Sequence, residues 1–205
     1  MADWGEIPLK KFLCLMLGVV LAGSAGAVVT PSPQELERVI GLDLEVLEDP
    51  EGRWSVNDVS GPFADRFRPS GREYPGFGFT RSTIWLRIQV DFSLVRDQPW
   101  YLIQRHPIVD QVVLYQPLAG GGYQETAMGD AMPFSQRIMA HREFIFPLDS
   151  SVGTVQTYYL KIAGKGALNL EVKLASAQGL IERHAARPRR QVCRQQTAHF
   201  AGADL

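Results

Sequence analysis

The sequence predicts an all-β domain in which about eight antiparallel strands form a two-sheet sandwich. Three observations carry this expectation. From residue 42 onward, apolar and polar residues alternate with period two over most of the chain, which turns one face of each segment toward a core. Glycine-rich breaks, Gly120-Gly121-Gly122 and Gly164-Lys165-Gly166, separate alternating runs as hairpin connections do. No amphipathic helix of about 10–15 residues lies between the runs, which argues against a parallel α/β fold.

Taken in order, the first element is a short helix over Pro33 to Ile40. Leu42, Leu44 and Val46 then alternate with Asp43 and Glu45 as a first strand. Pro75-Gly76 and Gly78 mark an irregular approach to the longest run. There Ile84, Leu86, Ile88, Val90 and Phe92 face one way, and Trp85, Arg87, Gln89 and Asp91 the other. Trp100 to Gln104, Gln111 to Gln116, Tyr123 to Ala127 and Glu143 to Leu148 are four shorter strands. Val155 to Ala163 and Ala167 to Leu174 close the series, with Leu168, Leu170, Val172 and Leu174 on one face of the last. Spacing of this kind fits either a jelly roll or an immunoglobulin-like sandwich.

Length and composition bound the rest. A chain of 205 residues, 45% hydrophobic and 21% charged, suits one globular domain. A net charge of −1 gives no argument for a nucleic-acid partner. Lys10 and Lys11 precede the apolar run Phe12 to Ala22, and small residues lead to Ala25-Gly26-Ala27. This is the pattern of a cleaved secretory signal over residues 1–27. Its apolar run of about 11 residues is well short of the roughly 20 that span a bilayer. Export leaves Cys193 as the one cysteine of the mature chain, so no internal disulfide forms and the domain must rest on its core. Residues 28–177 hold all the alternating faces and are expected to fold without the remainder. Residues 178–205, with five arginines against Glu182 and Asp204 and with Pro188 inside, read as a poorly ordered basic tail.

From Phe77 to Ala175 an ordered series of short motifs stands out. It runs Gly78-Phe79, Ile84-Trp85-Leu86-Arg87, Trp100-Tyr101-Leu102 and Pro107-Ile108-Val109-Asp110-Gln111-Val112, with Leu114-Tyr115. Gly129-Asp130, Pro133-Phe134-Ser135-Gln136-Arg137 and Phe144-Ile145-Phe146-Pro147-Leu148 follow, then Gln156-Thr157-Tyr158-Tyr159-Leu160-Lys161-Ile162. The series resembles the type 2 extracellular domain of bacterial seven-transmembrane receptors with diverse intracellular signalling modules. Leu42 to Pro69 fits that family's opening strands. The resemblance implies a jelly-roll sandwich akin to carbohydrate-binding modules, placed outside the membrane and sensing a ligand, often presumed to be a sugar. Seven membrane helices and a diguanylate cyclase or histidine kinase output normally follow such a domain. Residues 178–205 resemble no membrane helix, so the chain is expected to be either a stand-alone secreted relative or a receptor frame broken after about Ala177. The tail's composition favours the broken frame.

Catalytic motifs do not emerge. G-x-S-x-G, H-E-x-x-H and P-loop patterns are missing, and His106, His141, His184 and His199 lack metal-ligand spacing. The expectation is therefore a non-enzymatic sensor without cofactor or metal, located in the periplasm or secreted. Sugar sites combine flat aromatic faces with groups that hydrogen-bond hydroxyls. On that chemistry Trp85, Arg87, Arg105, Arg142 and Tyr115 are the candidate ligand residues, with Trp100 and His106 behind them. For Trp85 and Trp100 core packing competes with that role. Gly129-Asp130 and Arg137 lie in the longest loop, where they serve either a turn or a lid over the sheet. The expected partner is a small-molecule or glycan ligand. The rival readings are a module that pairs with itself or a membrane receptor through a strand edge, and a carbohydrate-active hydrolase.

Overall fold

The structure is a computed structural model that describes residues 27–185, except 97, 107, 108, 152 and 153. Apart from Ala27, the predicted signal segment lies outside the described residues, as does the part of the predicted tail from 186 to 205. The strands are β1 (Val28–Val29), β2 (Glu37–Val39), β3 (Glu45–Asp49), β4 (Arg68–Pro69), β5 (Gly76–Phe79), β6 (Thr83–Asp91) and β7 (Trp100–Gln104). They continue with β8 (Gln111–Pro117), β9 (Tyr123–Met128), β10 (Phe144–Leu148), β11 (Val155–Ala163), β12 (Ala167–Asn169) and β13 (Val172–Ser176). Two helices, α1 (Val56–Ser60) and α2 (Ala177–Ala185), complete the elements used below.

The strands form two main sheets. The larger has the order β4-β3-β6-β11-β8-β9, and β1 pairs in parallel with the far end of β6. The smaller has the order β10-β7-β13-β2, and β12 and β5 form a separate ribbon. From β6 the chain crosses to the smaller sheet for β7, returns for β8 and β9, crosses again for β10 and returns for β11. β8 and β9 are joined by a tight hairpin within the larger sheet, and there the glycines are required. Gly121 and Gly122 sit at φ 88° and 79°, which a side chain would strain, while Leu118 N–H donates to the Gly122 carbonyl at 3.1 Å.

Three layers of apolar side chains hold this together. Between the sheets pack Ile84, Leu86, Ile88 and Val90 of β6 and Tyr158, Leu160 and Ile162 of β11. Facing them are Leu102, Phe144, Phe146, Val172 and Leu174. The second layer lies on the outer face of the larger sheet. There Trp85, Val113, Tyr115, Tyr159 and Leu47 meet Val59 and Phe67 from the connection between β3 and β4, with Trp54, Val56 and Phe63 at its edge. A third, on the outer face of the smaller sheet, joins Ile103, Ile145 and Ala175 to Leu180 of α2. Fully burying side chains of this size stabilises by about 1.5–3 kcal/mol each, so the outer layers belong to the fold as much as the inner one.

The all-β sandwich is as the alternation predicts, and β6, β7, β8, β9, β10 and β11 fall on the expected runs. Four expectations are corrected. Pro33 to Ile40 is not a helix, because Glu37–Val39 pairs with Lys173–Ala175 as the edge strand β2. The first strand starts later than Leu42, which is exposed on a 3-10 turn over Gly41–Asp43. Gly164-Lys165-Gly166 closes no hairpin, because the run Ala167 to Leu174 divides between β12, which pairs with β5, and β13, which pairs with β7. The tail does not start as an unstructured stretch, since α2 continues directly from β13 and docks Leu180 on the smaller sheet. Alanine at Leu180, which is 5% exposed, should cost about 2–3 kcal/mol and lower the melting temperature by roughly 5–10 °C. An unchanged melting curve would show the helix to be undocked in solution.

Candidate functional site

Cross-strand register lines up the outer face of the larger sheet in rows. One row runs Glu45, Arg87, Tyr159, Tyr115 and Glu125 across β3, β6, β11, β8 and β9. The next runs Leu47, Trp85, Lys161, Val113 and Ala127. Three of the candidate residues, Trp85, Arg87 and Tyr115, therefore share one face, as the period of their strands requires. The connection between β3 and β4 covers most of it. Its start is set by Ser55, which caps α1: Asp58 N–H donates to the Ser55 hydroxyl, and Ser55 N–H donates to the Asp58 carboxylate at 2.8 Å.

Beneath that cover Trp85 is 0% exposed, with its ring stacked on Tyr115 at 5.6 Å and the Lys161 ammonium 5.3 Å from its centre. Arg87 is engaged through all of its donor nitrogens. Its Nε and Nη2 donate to Glu45 at 2.6 and 2.8 Å, and Nη1 donates to the Ala64 carbonyl at 2.9 Å. The guanidinium also lies 4.6 Å from the Phe67 ring. With side-chain exposures of 16% and 3%, Arg87 and Glu45 form a nearly buried bidentate pair that pins the covering segment to the sheet. The hydrogen bond from Arg87 to Glu45 raises the arginine's already high pKa further.

Tyr115 is nearly buried at the margin of the cover, opposite Glu125. Burial, reinforced by the Glu125 carboxylate, pushes its hydroxyl up to about 12, and burial beside Tyr123 does the same to Tyr159. Both phenols are thus neutral donors at physiological pH. Tyr123 packs edge-on to Tyr159 at 5.5 Å and is half-buried. Trp54 and Phe63, 4.7 Å apart, are half-buried at another margin of the cover, with Arg66 4.2 Å above Phe63.

Arg105 and Arg142 lie elsewhere. Arg105 follows β7 on the outer face of the smaller sheet, where Nη1 donates to Glu171 at 2.7 Å and Nε lies 3.6 Å from Glu143. Lys173 joins Glu171 to Glu37, and Arg183 of α2 bridges Glu37 at 3.1 Å and Glu143 at 3.0 Å. Burial alone would raise the Glu171 carboxyl, but Arg105 and Lys173 outweigh it and hold the group below its ordinary value. Arg142 is exposed beside this network, its carbonyl accepting from Arg137 at 2.8 Å. The five candidates therefore fall on opposite faces of the sandwich. Of the weaker candidates, Trp100 is buried in the inter-sheet core and His106 is exposed. Arg137 organises its loop, donating to the His141 carbonyl and stacking over Phe134 and Phe144.

Sequence reasoning passed over a cleft of about 420 Å³ at the β3–β4 edge of the larger sheet. Arg66, Arg68, Arg72 and Glu48 line it, over a floor that includes Val46 and Phe77. Its signal in the sequence was the cluster of arginines between Arg66 and Arg72, which belongs to no alternating run. Gly41 seats the loop that carries Arg72, because a Cβ there would collide with the Glu73 carbonyl.

Removing one partner of a nearly buried pair strands the other charge, so Arg87→Ala should cost about 3–5 kcal/mol. The Glu45→Gln/Arg87→Met double variant should recover much of that loss in urea unfolding. A loss under about 1 kcal/mol for Arg87→Ala would show that Arg87 carries no structural weight.

Among the described residues no helix is long and apolar enough to cross a membrane. No curated protein matches the chain. The family model described as 7TMR-DISM extracellular 2 matches residues 41–176, the stretch from the turn before β3 to the end of β13. It takes in the covering segment and both main sheets except the edge strands β1 and β2, beyond the series of motifs that starts at Phe77. The chain therefore belongs to the family of type 2 extracellular domains of seven-transmembrane receptors.

Proposed function

We propose that this extracellular receptor domain is a periplasmic sensor, exported by its N-terminal signal, that binds a carbohydrate and catalyses nothing. The observation that carries the proposal is the margin of the covered outer face. Along it the half-buried Tyr123 ring lies beside Glu125 and Lys161 above the nearly buried Tyr115, and the half-buried rings of Trp54 and Phe63 lie along a separate stretch. Flat rings take the apolar C–H faces of a sugar, while a carboxylate, an ammonium and a neutral phenol bond its hydroxyls. Tyr115 stays a ligand residue in this reading. Trp85 and Arg87 support it from beneath, Trp85 as the ring on which Tyr115 stacks and Arg87 as the clamp on the cover. The sheet-switching path of the strands supports a jelly roll, the architecture that presents such a face.

A ring that covers roughly 60 Å² of a sugar contributes about 1.5 kcal/mol, or about tenfold in affinity. Screening the purified chain on a glycan array should return neutral or charged glycans, and calorimetry on the best of them should give binding that Tyr123→Ala weakens by about tenfold at unchanged melting temperature. An array without hits at millimolar ligand would sink the carbohydrate reading, as would hits indifferent to both Tyr123→Ala and Trp54→Ala.

A further inference from the structure

We infer that the cleft lined by Arg66, Arg68 and Arg72 is a binding site for a small organic oxyanion, a molecule bearing a carboxylate, phosphate or sulfate group. The inference goes beyond the carbohydrate reading and does not depend on it.

Charge is the first reason. Three guanidiniums line one cleft against the single carboxylate of Glu48. Among the described residues, no ion pair joins any of the three to an acid. The basic residues of the smaller sheet's outer face contrast with this, since Arg105, Lys173 and Arg183 each meet one or more glutamates. Holding three like charges around one cleft against a single carboxylate is unfavourable, and an anion between them relieves the repulsion. Among the described residues Arg81, Arg96, Arg137, Arg142, Lys161 and Lys165 are likewise without an ion pair, but none of them lines this cleft.

The second reason is that the arginines are held in place by neutral contacts. Arg66 stacks over Phe63. Arg68 Nη1 donates to the carbonyls of Asp65 at 2.7 Å and Phe67 at 2.8 Å, which leaves its Nε and Nη2 for a ligand. Ser70 closes a turn on the backbone of Arg72, donating to its carbonyl at 3.0 Å, and Gly41 seats that loop. The Arg66 and Arg68 guanidiniums, fixed in this way, lose little freedom on binding, and the planar forks of all three match the two oxygens of an oxyanion.

The third reason is shape. The cleft has the size of the smaller ligand sites, and its half-buried floor residues, Val46 and Phe77, suit a carbon skeleton rather than a bare ion. The ligand is therefore an organic molecule with an anionic head, and a sugar acid or sugar phosphate has both features.

Calorimetry on the purified chain at constant ionic strength tests this with four oxyanion probes: galacturonate, citrate, galactose 6-phosphate and inorganic sulfate. Galactose is the neutral control. At least one organic oxyanion should bind, at least tenfold more tightly than galactose. The Arg66→Gln/Arg68→Gln/Arg72→Gln variant should lose that binding. Arg72→Gln alone, at an exposed side chain whose loss leaves the fold intact, should weaken it about tenfold. Preference for galacturonate and citrate assigns a carboxylate head, and preference for galactose 6-phosphate a phosphate. Binding of none of the four, or binding that Arg72→Gln leaves unchanged, overturns the site. Neutral glycans bound equally by wild type and Arg72→Gln, without oxyanion binding, would keep the carbohydrate reading and refute this one. The reverse result would refute the carbohydrate reading and keep the anion site.

Discussion

Strands β6 and β11 bury large side chains on both faces, and the rest of the structure follows from that constraint. Ile84, Leu86, Ile88, Tyr158, Leu160 and Ile162 face the smaller sheet, while Trp85 and Tyr159 on the opposite side are also buried. A sheet of this kind exposes large apolar rings to water unless something lies on each side of it. The smaller sheet covers one face. The connection between β3 and β4 covers the other with Trp54, Val56, Val59, Phe63 and Phe67. The nearly buried Glu45–Arg87 pair, tied to the Ala64 carbonyl, sets where that connection lies. Geometry of this sort fixes position more than it adds net stability, because desolvating two charges offsets most of their attraction.

Both candidate ligand surfaces are by-products of the cover. It is too short to span the whole outer face, so rings at its margins are left half-exposed beside polar groups. Where it returns to the sheet as β4, it brings Arg66 and Arg68 to the edge and leads into the loop of Arg72. Receptor domains need exposed recognition groups on a rigid frame, and here one connection supplies the rigidity and the groups. The paired charges on the far side work differently. Glu37, Glu143, Glu171, Arg105, Lys173 and Arg183 satisfy one another and attach α2 to the sheet.

Period-two alternation made β6, β8 and β11 legible, because each keeps one face in the core for its whole length. It also placed Trp85 and Arg87 correctly opposite Ile84 and Leu86. Alternation cannot say what meets the second face, and so it leaves core packing and ligand contact both open for Trp85, which lies buried beneath the cover. The covering residues Trp54, Val56, Val59, Phe63 and Phe67 follow neither period two nor a sustained helical period, which hid them. Glu37–Val39 looks helical locally, but pairing with β13 decides its state, as tertiary context often does. Alternation through Leu168, Leu170, Val172 and Leu174 suggested one strand, whereas the chain changes partners between Asn169 and Val172. Arg87 lies on an outward position of β6 and Arg105 just past the end of β7, and only the topology puts them on opposite faces.

If the cover is part of the cooperative fold, it should not open by itself. Native-state hydrogen exchange measures this directly. Val59 N–H donates to the Ser55 carbonyl at 3.2 Å and Phe63 N–H to that of Asp58 at 2.9 Å. Both amides should exchange only through the same global opening as the amides of β6 and β11, with equal free energies and equal denaturant dependence. Exchange of Val59 and Phe63 through a separate low-energy opening, while β6 and β11 stay protected, would make the cover a detachable flap and contradict this account.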